Sequence, residues 1–357
     1  MKAVALVRLA HRSRSIPIFS ALAISVLALT ACAAETDDKK SAASAAAGDG
    51  ILTIYAGRDE ALIAPLLAQF TEETGVEIAV RYGSSPELSA LLLEEGSQTP
   101  ADVFLSQDAG ALGALSEIDL LSELPNDISD AIPEDFTSSV DDWVGVTGRA
   151  RVIAYDSQKI SAADVPASVL ELTAPEWNGR VGFPPGNASF QSFVTALRDI
   201  EGEDVAEKWV TDMAANAPLL TEKNGATLDL VNTGQLDLAL INHYYWYQSA
   251  AELGSESMRA QLKFLPGDAG GIVNVTGAGI LAGSSGNLEA LQFLRFLISP
   301  AAQQYFVEKT FEYPLLPGIA APAGLPSLAS LANSEFNLDD LKSLSESQRL
   351  LAKHGLL

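Results

Sequence analysis

Ile51-Leu-Thr-Ile-Tyr55-Ala-Gly57-Arg-Asp-Glu60 opens the stretch that decides the fold. Its first five residues are a β-rich apolar run, and a glycine and a charged triplet follow. Leu62, Ile63, Leu66, Leu67 and Phe70 then recur at helical spacing, with Gly75 as a helix stop. Val76 to Tyr82 reads as the next strand. Ser85-Pro86-Glu87 opens a second helix, with proline at an early helical position. Asp102-Val-Phe-Leu105 is a third strand, and Ser106-Gln107-Asp108 begins another helix. Strands alternating with helices at this pitch predict an α/β lobe with a largely parallel sheet.

A second set follows an acidic loop at Asp130 to Asp142. Trp143 to Tyr155 reads as a long strand around Gly148-Arg149-Ala150-Arg151. Gly179 to Phe183 is a short strand, Pro184-Pro185-Gly186-Asn187 a turn, and helices begin near Ser189 and Glu203. A short helix starts at Lys223-Asn224-Gly225, Gln235 to Asn242 is a strand, and Gly271 to Leu281 is another long strand. Gly286 to Lys309 reads as one helix, and Ser334 to Leu357 as one or two more. Two α/β sets joined by two long strands predict a hinged pair of lobes with a cleft between them. Ligands of open α/β sheets sit beyond the carboxyl ends of strands. Four polar clusters take that position: Arg58-Asp59-Glu60, Gln107-Asp108, Asn187-Ala188-Ser189, and Asn242 to Tyr245. A helix N-cap role would explain most of them singly.

The last cluster carries distinctive chemistry. Three of the eight tyrosines fall at Tyr244, Tyr245 and Tyr247. Two neighbouring phenols after a strand can act as anionic oxygen donors to a hard cation, although an aromatic stripe packed in a core fits the same residues. Adjacent strand residues point to opposite faces, so the pair converges only if the backbone turns into a helix there. His243 offers itself as an extra ligand, with a structural hydrogen bond beside the cleft as the favoured reading, and Trp246 and Tyr247 are expected to pack. Beyond residue 31 only His243 and His354 remain, which argues against the histidine-rich sites of zinc and copper.

The N-terminus reads as an export signal. Lys2, Arg8, Arg12 and Arg14 precede an apolar core from Ile16 to Ala31, and no acid appears before Glu35. Leu29-Thr-Ala-Cys32 resembles the bacterial lipobox, whose cysteine is lipidated; two acyl anchors would hold the chain to a membrane. As the only cysteine, Cys32 excludes an intrachain disulfide. Residues 32–50 lack bulky apolar side chains and are expected to be a flexible tether. Removing residues 1–31 takes away four Lys/Arg and no acid, which leaves 18 basic against 46 acidic residues, a net charge of −28. Such a surface repels nucleic acid.

Several ordered segments carry a family resemblance: Tyr55-Ala-Gly57, Glu95-Gly-Ser97 with Pro100-Ala-Asp-Val-Phe104, and Trp143-Val-Gly-Val-Thr-Gly-Arg-Ala-Arg-Val152. Pro175-Glu-Trp177, Ala239-Leu-Ile-Asn-His-Tyr-Tyr-Trp246 and Glu312-Tyr-Pro-Leu315 complete the set. Over residues 51–357 the chain resembles a ferric-ion-binding protein of a bacterial ABC importer, the transferrin-type branch of the periplasmic binding proteins. The resemblance implies an α/β, two-lobe, type II periplasmic-binding-protein-like fold, hinged by two long connecting strands. Lobe 1 would comprise residues 51–148 and 274–325, lobe 2 residues 149–273, and residues 326–357 helices packing on the body.

Carried over by position, the family's tyrosine pair falls on Tyr244 and Tyr245. Asp59 stands where many members have a histidine ligand, and Gln107 where many have a glutamate. The anion-binding positions fall on Arg149, Asn187, Ala188, Ser189, Asn224 and Asn242, with Arg151 able to substitute for Arg149. Asp108 replaces a carboxamide, and Asp108 and Glu60 are the next candidate ligands. Arg58 could be a further anion donor or a solvated surface arginine. The implied ligand is Fe(III) with carbonate or phosphate as synergistic anion, and hard oxygen donors suit that ion. The implied protein is a monomeric, non-enzymatic lipoprotein outside the cell membrane, serving an ABC permease. Two alternatives stay open: the same fold binding a polyamine, thiamine or a phosphonate, and a secreted enzyme using Asp59, Asp108 or His243. No catalytic spacing supports the enzyme.

Overall fold

The computed structural model describes residues 50–331 and 336–357. The expected signal at 1–31, Cys32 and nearly all of the tether lie outside the described residues.

The first lobe starts as three parallel strand and helix units. Strands β1 (Ile51–Ala56), β2 (Glu77–Tyr82) and β3 (Val103–Ser106) are followed by α1 (Glu60–Thr74), α2 (Ser85–Glu95) and α3 (Ala109–Ser116). Ser84 and Glu87 form a reciprocal capping box at α2, and Gly75 closes α1 in the left-handed conformation. After α4 (Asn126–Ser129) comes β4 (Val144–Asp156), all thirteen residues of which are buried. The second lobe contains β5 (Val181–Phe183), α5 (Ala188–Glu201), α6 (Glu203–Ala215), β6 (Leu219–Leu220), α7 (Asn224–Asn232), β7 (Leu238–Asn242), α8 (Tyr244–Leu253) and β8 (Ala260–Phe264). The chain returns through β9 (Val273–Ile280), α9 (Leu288–Leu297), α10 (Pro300–Tyr305) and β10 (Tyr313–Pro314), and ends with α11 (Leu328–Leu331) and α12 (Leu344–Lys353).

The strands run in the order β2-β1-β3-β9-β4-β7-β5-β6, with β8 and β10 also paired to β4. β4 divides its partners along its length. Val144 to Ala150 pairs antiparallel with β9, whereas Arg151 to Tyr155 pairs antiparallel with β7. One strand thereby belongs to both lobes. The registers Arg149↔Asn274 and Arg151↔Asn242 place two arginines, two residues apart, on one face where the sheets meet.

Two apolar cores flank this junction. In the first, Phe70 meets Phe293 edge-on at 5.1 Å and Phe296 at 5.3 Å. In the second, Phe183 stacks on Phe190 at 4.4 Å, and Phe193 meets Trp209 edge-on at 5.2 Å. Each such buried ring contributes about 1.5–3 kcal/mol of transfer free energy. The C-terminal segment touches both cores: Leu338, Leu341 and Leu344 enter the first, Leu351 and Leu356 the second.

The helix expected over Gly286 to Lys309 is broken. Ser299 caps the backbone N–H of Ala302 and Pro300 starts α10, so the last turn of α9 ends at Leu297. The strand β8 was not read from its weakly alternating Ala-Gln-Leu-Lys-Phe sequence; it exists because β4 offers a free edge. Gly277 of β9 shows how tightly the first lobe closes on the junction. A Cβ there would lie 2.7 Å from Leu112 Cδ1 and 3.1 Å from the Val144 carbonyl oxygen. Gly277→Ala should therefore destabilise the protein by about 1–3 kcal/mol. A lower urea midpoint at unchanged slope would register it, and an unchanged midpoint would refute this packing.

Candidate functional site

Four helices start beyond the carboxyl ends of β1, β3, β5 and β7, and Gln107 before α3 and Ser189 in α5 touch the β4 arginines. β7 ends at Asn242, His243 turns the chain with φ −56° and ψ −41°, and α8 begins at Tyr244. That turn brings adjacent phenols together: the Tyr244 and Tyr245 rings stack with centroids 4.3 Å apart and planes 28° apart. Tyr244 is buried and Tyr245 half-buried. Burial, reinforced by Tyr244 and Asp59, pushes the Tyr245 phenol well above its usual pKa, while Arg58 opposes the shift. A bound cation would have to displace that proton. Trp246 donates to the Ala260 carbonyl at 2.6 Å, and Tyr247 stacks on Phe311. Both are packing residues, as the sequence suggested.

On the first lobe, Arg58 differs from a solvated surface arginine. It is 3% exposed, pairs with Glu312 at 2.8 Å and donates to Thr276 Oγ1 at 3.0 Å. Burial works against its charge, but Glu312, Tyr244 and Tyr245 together outweigh it and hold the guanidinium protonated. Asp59 precedes α1 without capping it, so its carboxylate is free to reach the cleft. It is exposed and meets Lys223 of the second lobe at 3.3 Å. Gln107 is nearly buried, with its backbone N–H on Ser85 Oγ at 2.7 Å. Its backbone oxygen accepts from Arg149, and its carboxamide makes no hydrogen bond among the described residues. Asp108 is committed elsewhere. One carboxylate oxygen caps α3 through the Ala111 N–H at 3.1 Å and accepts from Ser192 Oγ of the second lobe at 3.1 Å. Burial pushes its pKa up against the pull of Arg149. Glu60 is exposed in the first turn of α1, beside Tyr82.

The remaining expected residues form a cradle on the second lobe. Asn187 Oδ1 caps α5 and gathers the Ser189 N–H at 3.1 Å, Ser189 Oγ at 2.7 Å and Asn224 Nδ2 at 3.2 Å. Ala188 lies in the first turn of α5, where backbone N–H groups favour an anion. The two arginines divide their roles in a way the sequence did not show. Arg149 is braced, its Nη2 donating to the carbonyls of Gln107 and Val275. Arg151 reaches the cradle itself, with Nη1 on Ser189 Oγ at 3.2 Å. Burial, then Arg149, lowers the Arg151 pKa to about 9.

Much of this cluster lacks partners. Arg149 Nε and Nη1, Arg151 Nε and Nη2, Asn242 Nδ2, Asn224 Oδ1 and Asp108 Oδ2 are all buried without a hydrogen bond. An unsatisfied buried polar atom costs about 1–3 kcal/mol, more when charged. Four orphaned guanidinium nitrogens on one strand face therefore suit an oxyanion. Among the described residues no group of three or more His, Cys, Asp or Glu side chains could hold a metal.

The bacterial extracellular solute-binding protein family matches residues 98–336. The major ferric iron-binding protein of Neisseria meningitidis serogroup B is 32% identical over 311 residues, covering 85% of this chain and 93% of that protein. The Fe(3+)-binding periplasmic protein of Serratia marcescens is 31% identical over 317 residues, covering 88% and 93%. Among solved structures, iron-bound HitA from Pseudomonas aeruginosa aligns with a TM-score of 0.81 at 32% identity, over 86% of this chain and 99% of that one.

His243, beside the tyrosines, has both ring nitrogens engaged. Nε2 faces the Phe311 carbonyl at 3.0 Å, and Nδ1 accepts from the Ala150 N–H at 3.2 Å. Burial, against weaker support from the Phe311 and Ala150 backbone and from Glu312, depresses its pKa to about 4, with Arg149 adding to the depression. The unfolded chain takes up this proton near 6.5, so stability is lost as pH falls from 6.5 towards 4 and levels off below. This group should cost about 3 kcal/mol across that window. Chemical unfolding of the iron-free protein should show a smaller acid loss in His243→Asn; identical pH profiles would contradict the assignment.

Proposed function

Because the chain belongs to the bacterial extracellular solute-binding proteins, we propose that it captures ferric ion outside the cell membrane and delivers it to an ABC permease. The observation that carries this reading is the stacked phenol pair at the start of α8, in a site where two buried arginines each keep two nitrogens without a partner. Tyr244 and Tyr245 bind as phenolates. Asp59 adds the third negative charge and Gln107 a neutral oxygen, so three charges on the ligands balance three on the ion. Each phenol gives up its proton when iron binds, which makes capture weaker as pH falls.

A synergistic anion, carbonate or phosphate, completes the site. It lies against Arg151, the Asn187-Ala188-Ser189 turn, Asn224 and Asn242, with Arg149 behind. Domain closure about β4 and β9 brings the Asp59 side to the tyrosine side, and the Asp59–Lys223 and Asp108–Ser192 contacts already span that cleft. The protein performs no catalysis. It is a monomer, and lipidation of Cys32 tethers it to the membrane through residues 32–50. The orphaned arginine nitrogens also favour a second reading, in which an organic anion is the ligand and no metal is needed.

Adding ferric salt with carbonate or phosphate should give the purified protein a visible tyrosinate-to-iron charge-transfer band. Tyr244→Phe and Tyr245→Phe should each abolish or greatly weaken it. A colourless wild type with both anions would reject ferric capture in favour of the organic anion. Arg151→Gln should weaken ferric affinity by about tenfold or more, the equivalent of one lost charge-assisted hydrogen bond. Equal affinity in that variant would remove Arg151 from the anion site.

A further inference from the structure

Arg58 belongs neither to the coordination shell nor to the anion cradle, yet much of the first lobe is arranged to hold it. Its guanidinium carbon lies 5.8 Å from the centroid of the Tyr244 ring. Its Nη2 is fixed by Glu312 and its Nη1 by Thr276 of β9, while Nε has no partner. Glu312 is fully buried and its second oxygen accepts from Thr310 Oγ1 at 2.9 Å. The preceding residue, Phe311, adopts a left-handed φ of 59° at the end of a turn of π-helix over Phe306–Thr310. A phenylalanine in that region is strained. The same residue offers its carbonyl to His243, immediately before Tyr244. One strained segment thus positions both the counter-charge of Arg58 and the residue that launches the tyrosines.

Stability alone is a poor reason for this construction. Desolvating an ion pair commonly costs as much as the pair returns, and an apolar pair of similar volume serves the core equally well. A cation against the face of a neutral ring gains only the modest attraction of the ring quadrupole, and it gains far more once the ring is anionic. The charge of a phenolate spreads over the ring, and in a buried site a guanidinium at this range stabilises it appreciably.

We propose that Arg58 is a positioning residue for ferric capture: balanced by Glu312, it holds a buried positive charge over Tyr244, stabilising the phenolate ligand and setting how readily that phenolate donates electron density to iron. The proposal rests on the ferric reading of the site. It assigns opposite effects to the two members of the pair. Removing Arg58 raises the energy of the phenolate donor, whereas removing the charge of Glu312 exposes Arg58 and lowers it.

The test is the visible spectrum and ferric affinity of the full chain loaded with ferric ion and phosphate. Arg58→Met should move the charge-transfer band to longer wavelength and weaken affinity by about tenfold. Glu312→Gln should move the band to shorter wavelength, and Arg58→Lys should restore the wild-type position. The double variant Arg58→Met with Glu312→Met leaves no unpaired buried charge, so it keeps the fold testable and should show the long-wavelength shift. A colourless wild type would overturn the ferric reading itself. A coloured wild type whose band is unmoved in the double variant, or moves the same way in Arg58→Met and Glu312→Gln, would overturn the role of Arg58 alone.

Discussion

The pairing of one buried strand with two different neighbours governs this molecule. β4 gives its first half to β9 and its second half to β7, so both lobes are hydrogen-bonded to the same thirteen residues. Its backbone cannot relax without breaking ladders on both sides. Each half has its own aromatic core, and the strand passes between them. The C-terminal residues from Leu338 to Leu356 contribute side chains to both cores, adding a second tie on the outside of the body. A strand shared by two separately packed cores ties both lobes to one junction.

The junction is also where the protein concentrates its electrostatic cost. Arg149 and Arg151 lie side by side on one face of β4, buried, with four of their nitrogens lacking partners. Gln303, by contrast, is fully buried and binds the Val146 and Leu297 carbonyls and the Leu315 N–H, although Trp143 Nε1 and Thr147 Oγ1 in the same lobe also lack partners. Seven of the unsatisfied atoms belong to Arg149, Arg151, Asn242, Asn224 and Asp108. Such a deficit is relieved by a ligand carrying oxygen acceptors, so the same atoms that weaken the empty protein favour the loaded one.

The two sides of the cleft are built differently. The second lobe brings the phenol pair from a strand-to-helix turn and a cradle from two helix starts, in which Asn187 gathers Ser189 and Asn224. The first lobe presents Asp59, which meets Lys223, and Gln107, whose carboxamide makes no hydrogen bond among the described residues, backed by a buried ion pair.

The alternation of β-rich runs with 3.6-residue apolar spacing, as in Ile51 to Phe70, was enough to read an α/β chain. The glycine and proline signals at Gly75 and Pro86 marked helix ends because those residues act on their own backbone. The adjacency of Tyr244 and Tyr245 was likewise visible, being a fact of the chain itself. The break at Pro300 was legible too, and a long apolar stripe obscured it. What the sequence could not express was the choice of distant partners. Arg58 found Glu312 across 254 positions and Arg151 found Ser189 across 38, while Asp108 became a helix cap and a bridge to Ser192. Local spacing records how a chain folds on itself over a few residues. The pairing of a buried charge is decided only when the two lobes close around β4, since burial then removes water and leaves each charge with the few groups within reach.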